Sequence, residues 1–160
     1  MSLRRSTGGP FTTPTLLAAL PSVPVAAWKP RYNLGVIVGI GIDAVDVARM
    51  REVLRRTPTF RTRTFTDGER AYSEKQHDPT ERYAVRFAAK EAVMKAMGLG
   101  LGAFGFHDVE VEVADSGAPS LLLRGPALEH ATVRGIDIWH VTLTHTEISA
   151  IAMVLAEGRA

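Results

Sequence analysis

Four ionisable side chains share one segment of the chain, residues 82–97, at spacings that could bring them to one phosphate group. Three are cations and one is a carboxylate: Arg86, Lys90, Lys95 and Glu91. The segment is rich in alanine and is followed by Gly98, which predicts a helix that ends there. At about 100° per residue, the four side chains fall on one half of this helix. A carboxylate among cations can hold a divalent metal ion while the cations meet phosphate.

A second carboxylate comes from Asp43, which follows a short apolar run over residues 36–42. The run is β-branched and predicts a buried strand that leads into a helix over residues 46–56. Because Asp46 can cap that helix, Asp43 is free for another role. Asp43 and Glu91 are two hard oxygen ligands, a typical protein contribution to a Mg²⁺ site that waters and substrate phosphates complete. The pattern therefore indicates a metal–phosphate site.

Other interpretations of the same residues stay open. Glu91 and Lys95 have the spacing and order of a helical ion pair, and an aspartate after a strand often caps a helix. The glycines within residues 39–44 fit a dinucleotide-binding fingerprint, but residues 60–65 are too short and basic for the second strand of such a unit. Gly-Ile-Asp also opens metal-dependent nucleases and sugar-kinase-like ATPases, which need further acids on later strands.

The composition indicates a folded protein with a hydrophobic core. The chain has 160 residues, enough for one domain, and 46% of them are hydrophobic. It contains no cysteine, which excludes disulfides, thiolate metal sites and cysteine nucleophiles. A net charge of +2 is too small to indicate a nucleic-acid partner, and no apolar run is long enough to indicate a membrane span.

Residues 1–35 differ in character from the rest of the chain. They contain no acidic residue and five prolines: Pro10, Pro14, Pro21, Pro24 and Pro30. We interpret them as an N-terminal tail, either disordered or a product of start-site choice, with a transit peptide as the alternative. The folded domain is predicted over residues 36–160.

The middle and end of the chain predict helices followed by paired strands. Thr66 and Glu69 have the spacing of a capping box, which predicts a helix to about residue 76. The later predicted elements are a helix over 126–133 and strands over 109–113, 120–123, 138–144 and 149–155. Their short connections make the strands antiparallel. The predicted fold class is α+β, an antiparallel sheet packed with helices.

Among the five histidines, only His145 suggests chemistry. It follows the predicted strand over 138–144 and lies between Thr144 and Thr146. A polar turn explains this position as well as a substrate contact or a role in proton transfer does.

Four motifs taken together resemble one family. They are Gly39-Ile-Gly-Ile-Asp43-Ala-Val-Asp46, Phe65-Thr-Asp-Gly-Glu69, Arg86-Phe-Ala-Ala-Lys-Glu91-Ala-Val-Met-Lys95 and His140-Val-Thr-Leu-Thr-His145. In order and spacing, over residues 36–157, they resemble the holo-acyl-carrier-protein synthases, the short homotrimeric 4′-phosphopantetheinyl transferases. The glycine-rich loop over 98–105 and the last turn depart slightly from the family pattern.

The resemblance implies a fold, a reaction and roles for single residues. Asp43 and Glu91 would bind Mg²⁺ and, with Lys95, form the catalytic group. The residues implied to bind coenzyme A are Arg86, Lys90, Lys95, Gly98, Pro119, Thr144 and His145. Arg49 and Arg56 would face the acidic acyl carrier protein, which accepts the 4′-phosphopantetheine arm on a serine.

The family is cytoplasmic and serves fatty-acid biosynthesis, and its sites form between neighbouring subunits of a homotrimer. The resemblance therefore implies the same location and assembly here. Two further functions stay open: a non-catalytic trimeric module that binds acidic carrier proteins, and a metal-dependent nuclease.

Overall fold

A computed structural model of the protein describes residues 35–159. The predicted tail over residues 1–35 lies outside this part, except for Gly35. The elements in chain order are β1 (Gly35–Asp46), α1 (Val47–Arg56), α2 (Thr59–Thr64), α3 (Asp67–Ser73), α4 (Thr80–Ala96), β2 (Val109–Val113), β3 (Pro119–Leu123), α5 (Gly125–Val133), β4 (Ile136–His145) and β5 (Ser149–Arg159). No helix of the described residues is long and apolar enough to cross a membrane.

Strands β1, β5 and β4 form an antiparallel sheet in that order, and β2 pairs with β3 in a separate hairpin. Helix α4 packs between the sheet and the other elements, with contacts to β1, β5, β2, α3 and α1. The predicted α+β class, the hairpin and the antiparallel last pair of strands are confirmed. Residues 60–65, judged too short and basic for the second strand of a dinucleotide-binding unit, largely form α2, a short helix.

The small face of α4 lies directly on β1. Ala88, Ala89, Ala92 and Ala96 are all buried. A Cβ atom added to Gly41 would stand 1.9 Å from the Ala92 carbonyl oxygen, and one added to Gly39 the same 1.9 Å from that of Ala96. Only glycine fits there, so the close approach of helix and strand explains these glycines without a dinucleotide.

The N-termini of α1 and α3 are capped as predicted. The Asp46 carboxylate accepts a hydrogen bond of 2.7 Å from the Arg49 N–H, which leaves Asp43 free of this role. Thr66 and Glu69 form both hydrogen bonds of the capping box of α3. The local pattern therefore located both helix starts.

Residues 36–42 form a strand as predicted, but the prediction that this strand is buried is wrong. β1 is longer than predicted, and within residues 35–159 it is an edge strand whose one partner is β5. Its apolar side chains are open on the face away from α4, with Ile40 and Ile42 both 58% exposed. The part of the chain that the structure describes covers one face of this sheet only, so an apolar run is no proof of burial on both faces.

Candidate active site

Two carboxylates and a lysine meet where β1 passes the C-terminal half of α4. Asp43 comes from β1, and Glu91 and Lys95 come from successive turns of α4. The Lys95 ammonium donates hydrogen bonds to Asp43 Oδ1 at 2.7 Å and to the Ile42 carbonyl oxygen at 3.1 Å. The close packing of alanine on glycine holds these side chains together.

The electrostatics of this cluster favour a bound cation. Burial raises the pKa of Glu91, the nearby Asp43 carboxylate raises it further, and Lys95 opposes both effects. The hydrogen bond to Asp43 is the main reason that the pKa of Lys95 is raised. A divalent cation would relieve the repulsion between the carboxylates.

The donor set fits Mg²⁺ rather than a metal that the protein encloses alone. Within residues 35–159 no group of three or more His, Cys, Asp or Glu side chains could hold a metal ion. Two carboxylate oxygens with open positions for water and phosphate are what Mg²⁺ uses in phosphoryl-transfer sites. Asp43 and Glu91 are therefore suitable ligands for Mg²⁺ carried in with a phosphorylated substrate.

The carboxylates line a cleft of about 530 Å³, which we call the acidic cleft. Its other lining residues come from β1, α1, α2, α4 and the glycine-rich loop: Ala44, Val45, Asp46, Arg49, Met50, Val53, Phe60, Phe87 and Leu101. Phe60 and Phe87 lie against each other, with ring centroids 5.8 Å apart. The cleft thus combines a metal-binding end with an apolar wall and one arginine.

Three other predicted site residues meet at a second cleft, which we call the basic cleft. It has a volume of about 260 Å³, and Arg86, Pro119 and His145 are among its lining residues. The His145 imidazole Nδ1 lies 3.0 Å from Glu81 Oε2. Thr144 is exposed and follows the opposite alternation on β4, so its side chain faces away from His145.

Arg86 is nearly enclosed but incompletely partnered. Its residue is 2% exposed, and its guanidinium donates to the Arg82 carbonyl oxygen at 3.2 Å. Its Nε is buried and has no hydrogen-bond partner in the described part of the chain. The guanidinium carbon lies 4.3 Å from the centroid of the Tyr72 ring. Such an arginine is well suited to a phosphate that enters the cleft.

Lys90 lies in neither cleft. Its ammonium is fully buried and forms an ion pair with Glu69 Oε2 at 2.8 Å. It also donates to the Phe106 carbonyl oxygen at 2.7 Å and to the Val109 carbonyl oxygen. All three of its N–H donors therefore have acceptors within the protein. This geometry argues against the predicted contact between Lys90 and coenzyme A. The Lys90 ammonium is already paired with the buried Glu69 carboxylate and has no free N–H donor.

Comparison with known proteins identifies the group to which this site belongs. Residues 39–147 match the 4′-phosphopantetheinyl transferase superfamily. The chain belongs to this superfamily. A holo-[acyl-carrier-protein] synthase from Frankia alni is 46% identical over 122 residues, which are 76% of this chain and 98% of that protein. The family resemblance drawn from the motifs is thereby confirmed.

Solved structures of the superfamily share the fold. The crystal structure of holo-ACP-synthase from Plasmodium yoelii has a TM-score of 0.70 and 28% identity, covering 79% of this chain and 98% of that one. A holo-(acyl-carrier-protein) synthase from Bacillus anthracis, solved in complex with CoA (3′,5′-ADP), has a TM-score of 0.64 and 35% identity. The match covers 76% of this chain and 97% of the Bacillus anthracis chain.

Gly98 has a structural role at the end of α4 in this transferase. Its φ is +67°. Its N–H donates a hydrogen bond to the Lys95 carbonyl oxygen at 2.9 Å, and the Leu99 N–H donates to the Met94 carbonyl oxygen. This is a Schellman ending, which favours glycine. Nothing lies within 4 Å of the position where a Cβ would stand, so the backbone is open to a ligand from that side.

The arginines of α1 differ in how they are paired. Arg55 and Arg56 both bind Glu52, and Arg51 binds Asp78 at 3.0 Å. Arg49, which lines the acidic cleft, has no ion pair in the described residues. The predicted contact residues Arg49 and Arg56 are thus both at the surface, but only Arg49 adjoins the carboxylates.

Sequence reasoning missed Glu69 and Tyr72. Glu69 was assigned only to its capping box, yet its Oε1 also accepts a 3.0 Å hydrogen bond from Val111 N–H and its Oε2 binds Lys90. No local pattern marks Tyr72, which lines the basic cleft, because the arginines around its ring belong to α4.

Proposed function

We propose that this protein transfers the 4′-phosphopantetheine arm of coenzyme A to a serine of apo acyl carrier protein, giving holo carrier protein and adenosine 3′,5′-bisphosphate. The observation that carries the proposal is the cluster of Asp43, Glu91 and Lys95 at the edge of an open cleft. The named synthases among its relatives support the same reaction. The Bacillus anthracis structure supports coenzyme A as the substrate.

The reaction balances with groups that the site can hold. The serine hydroxyl oxygen forms a bond to the β-phosphorus of coenzyme A, and the bond from that phosphorus to the bridging oxygen breaks. The electron pair leaves with adenosine 3′,5′-bisphosphate, and the serine proton is released. Such transfers depend on positioning and charge neutralisation more than on covalent chemistry.

Each residue of the cluster has a distinct task. Mg²⁺, held by Asp43 and Glu91, would neutralise the pyrophosphate charge. Lys95 is half exposed and can turn from Asp43 towards a phosphate oxygen. There it offsets negative charge that grows on the leaving group. Gly98 lets the backbone lie close to the pantetheine arm, since no side chain stands in the way.

We further propose that Arg86, Pro119 and His145 bind the nucleotide part of coenzyme A held by a neighbouring subunit of a homotrimer. Thr144 is left out of this group, because its side chain faces away from His145. The support is the separation of the acidic and basic clefts on one chain. The sheet face away from α4 also exposes apolar side chains, among them Ile40 at 58% and Met153 at 41%. Light scattering measures the assembly directly. Met153→Glu is expected to convert the trimer to monomers and to abolish transfer.

The carrier protein is expected to dock on α1. Arg49 and Arg56 would attract its acidic surface, and Phe60 and Phe87 line the acidic cleft beside them. Long-range attraction of this kind raises the association rate and weakens with salt. We place the reaction in the cytoplasm, in fatty-acid biosynthesis.

Mass spectrometry of the carrier protein tests the proposed function. The protein is incubated with coenzyme A, Mg²⁺ and apo carrier protein, and the carrier should gain the mass of one phosphopantetheine arm. Carrier binding without that gain would indicate a non-catalytic module instead. Cleavage of nucleic acid with no response to coenzyme A would indicate a nuclease.

A further inference from the structure

Three charged side chains are buried side by side under the wall of the basic cleft. They are Glu69 of α3, and Arg86 and Lys90 of α4, with exposures of 1%, 2% and 0%. Within this group of three, one anion faces two cations, so one positive charge is left over. The cation that does not pair with Glu69 is the one that can bind a ligand.

The carboxylate of Glu69 is committed to Lys90. Its Oε2 lies 2.8 Å from Lys90 Nζ and accepts the Thr66 N–H at 3.0 Å. Its Oε1 accepts the Val111 N–H at 3.0 Å. Arg86 forms no ion pair with Glu69 in the structure described, although Glu69 is the charge that opposes most strongly the effect of burial, which lowers the pKa of Arg86.

Arg86 is consequently the cation without a carboxylate. Besides the basic cleft, it lines a neighbouring cleft of about 500 Å³, together with Tyr72 and Lys75. Its Nε has no hydrogen-bond partner among residues 35–159, and its guanidinium lies over the Tyr72 ring. A buried guanidinium with a free donor beside another cation is a strong binding group for phosphate.

We propose that Lys90 is a positioning residue, which holds Glu69 and so keeps Arg86 available to a phosphate group of coenzyme A. The identity of the ligand rests on the proposed function. If Lys90 were neutral, the buried carboxylate would take the nearest remaining cation, because an unpaired buried charge is costly. Arg86 would then be paired with Glu69 and would bind the ligand less well.

A cycle of variants tests this role. The KM and kcat for coenzyme A, and its Kd by calorimetry, are measured for the unaltered protein, Lys90→Met, Glu69→Gln and the double variant. Lys90→Met should raise KM and Kd about tenfold or more, the scale of one lost charged hydrogen bond, with a much smaller change in kcat. Glu69→Gln should bind as tightly as the unaltered protein or more tightly. In the double variant the affinity should return, because no carboxylate is left to capture Arg86.

The double variant separates this role from direct phosphate binding by Lys90. If it binds coenzyme A as weakly as Lys90→Met does, the inference is overturned. It is also overturned if Glu69→Gln weakens binding as much as Lys90→Met while circular dichroism shows an intact fold. Glu129→Gln, on the exposed face of α5, is the matched control. If Lys90→Met does not fold, Glu69→Gln decides, since its binding must not be weakened.

Failure of this inference differs from failure of the proposed function. Suppose that the unaltered protein loads no carrier, but that Kd for coenzyme A is raised in Lys90→Met alone and not in Glu69→Gln or the double variant. The proposed function then fails and the role of Lys90 stands. If the carrier is loaded and this pattern of Kd is absent, the role of Lys90 alone is overturned. An unaltered protein that does not bind coenzyme A overturns both.

Discussion

Two lysines of α4 each pair with a carboxylate, at nearly the same distance and in opposite surroundings. Lys95 lies 2.7 Å from Asp43, with side chains 49% and 11% exposed. Lys90 lies 2.8 Å from Glu69, with both side chains fully buried. The first pair borders the acidic cleft, and the second supports the wall of the basic cleft.

Access to water separates the tasks of the two pairs. An exposed ion pair contributes little stability, because water replaces either partner at small cost, so Lys95 can leave Asp43 for a ligand. A buried pair cannot open without leaving a charge unpaired in the interior. A lysine paired with a carboxylate is therefore suited to ligand binding in one place and to structural support in the other.

The largest effect is expected from the exposed site. Asp43→Ala and Glu91→Ala should each lower the rate of carrier loading by about 100-fold or more, since each removes half of the carboxylate set that would hold Mg²⁺. The mass-spectrometric assay with a Mg²⁺ titration measures this, and circular dichroism should show an unchanged fold. Glu129→Ala is the control, and it should keep its activity. Full activity in either site variant would rule out the metal assignment.

Substituting each lysine with methionine tests the comparison itself. Lys95→Met should change the free energy of unfolding by less than about 1 kcal/mol, while its loading rate falls by about 100-fold. Lys90→Met should lose about 3–5 kcal/mol of stability, because it breaks a fully buried ion pair and forces Glu69 to turn from its present position towards Arg86. Urea denaturation and the loading assay together give both quantities. Equal losses of stability would show that burial does not distinguish the pairs.

The spacing of β1 and α4, which builds the exposed site, is tested by a glycine substitution. Gly41→Ala places a Cβ 1.9 Å from the Ala92 carbonyl oxygen, and should cost about 1–3 kcal/mol of stability. Gly100→Ala has nothing within 4 Å of the new Cβ and should be neutral to within about 0.5 kcal/mol. Thermal unfolding of both variants measures the difference. A neutral Gly41→Ala would mean that the strand and the helix can move apart freely.

The smallest effect concerns the acidity of the exposed site. Because the pKa of Glu91 is raised in the folded protein above its ordinary value of 4.5, the folded state holds this proton more tightly than the unfolded state does. The contribution of Glu91 to the free energy of unfolding therefore falls as the pH rises above 4.5. In metal-free protein at neutral pH, Glu91→Gln should raise stability by less than about 1 kcal/mol, and the gain should vanish below pH 4.5. If the stability gain of Glu91→Gln instead increased as the pH is lowered, the pKa of Glu91 would be lowered in the folded protein rather than raised.

Much of the fold was predictable because its signals are local. The capping residues Asp46 and Thr66, the alternation in β2 and the alanine face of α4 each act over a few neighbouring residues. The exposure of β1 was not predictable from the same kind of signal. An apolar strand has the same sequence whether one face is covered by its own chain or open, as it is here at Ile42.

For the candidate site, the types and spacing of the residues predicted that Asp43, Glu91 and Lys95 act together, and the structure places Lys95 on Asp43 with Glu91 in the same cleft. The family was recognised from the motifs and is confirmed. Only the tertiary structure distinguished Lys90 from Lys95. Both lie on the same half of the helical wheel, and spacing shows which side chains share a face, whereas burial depends on what packs there. Glu69 and the β2 strand cover Lys90, and neither is near it in the sequence.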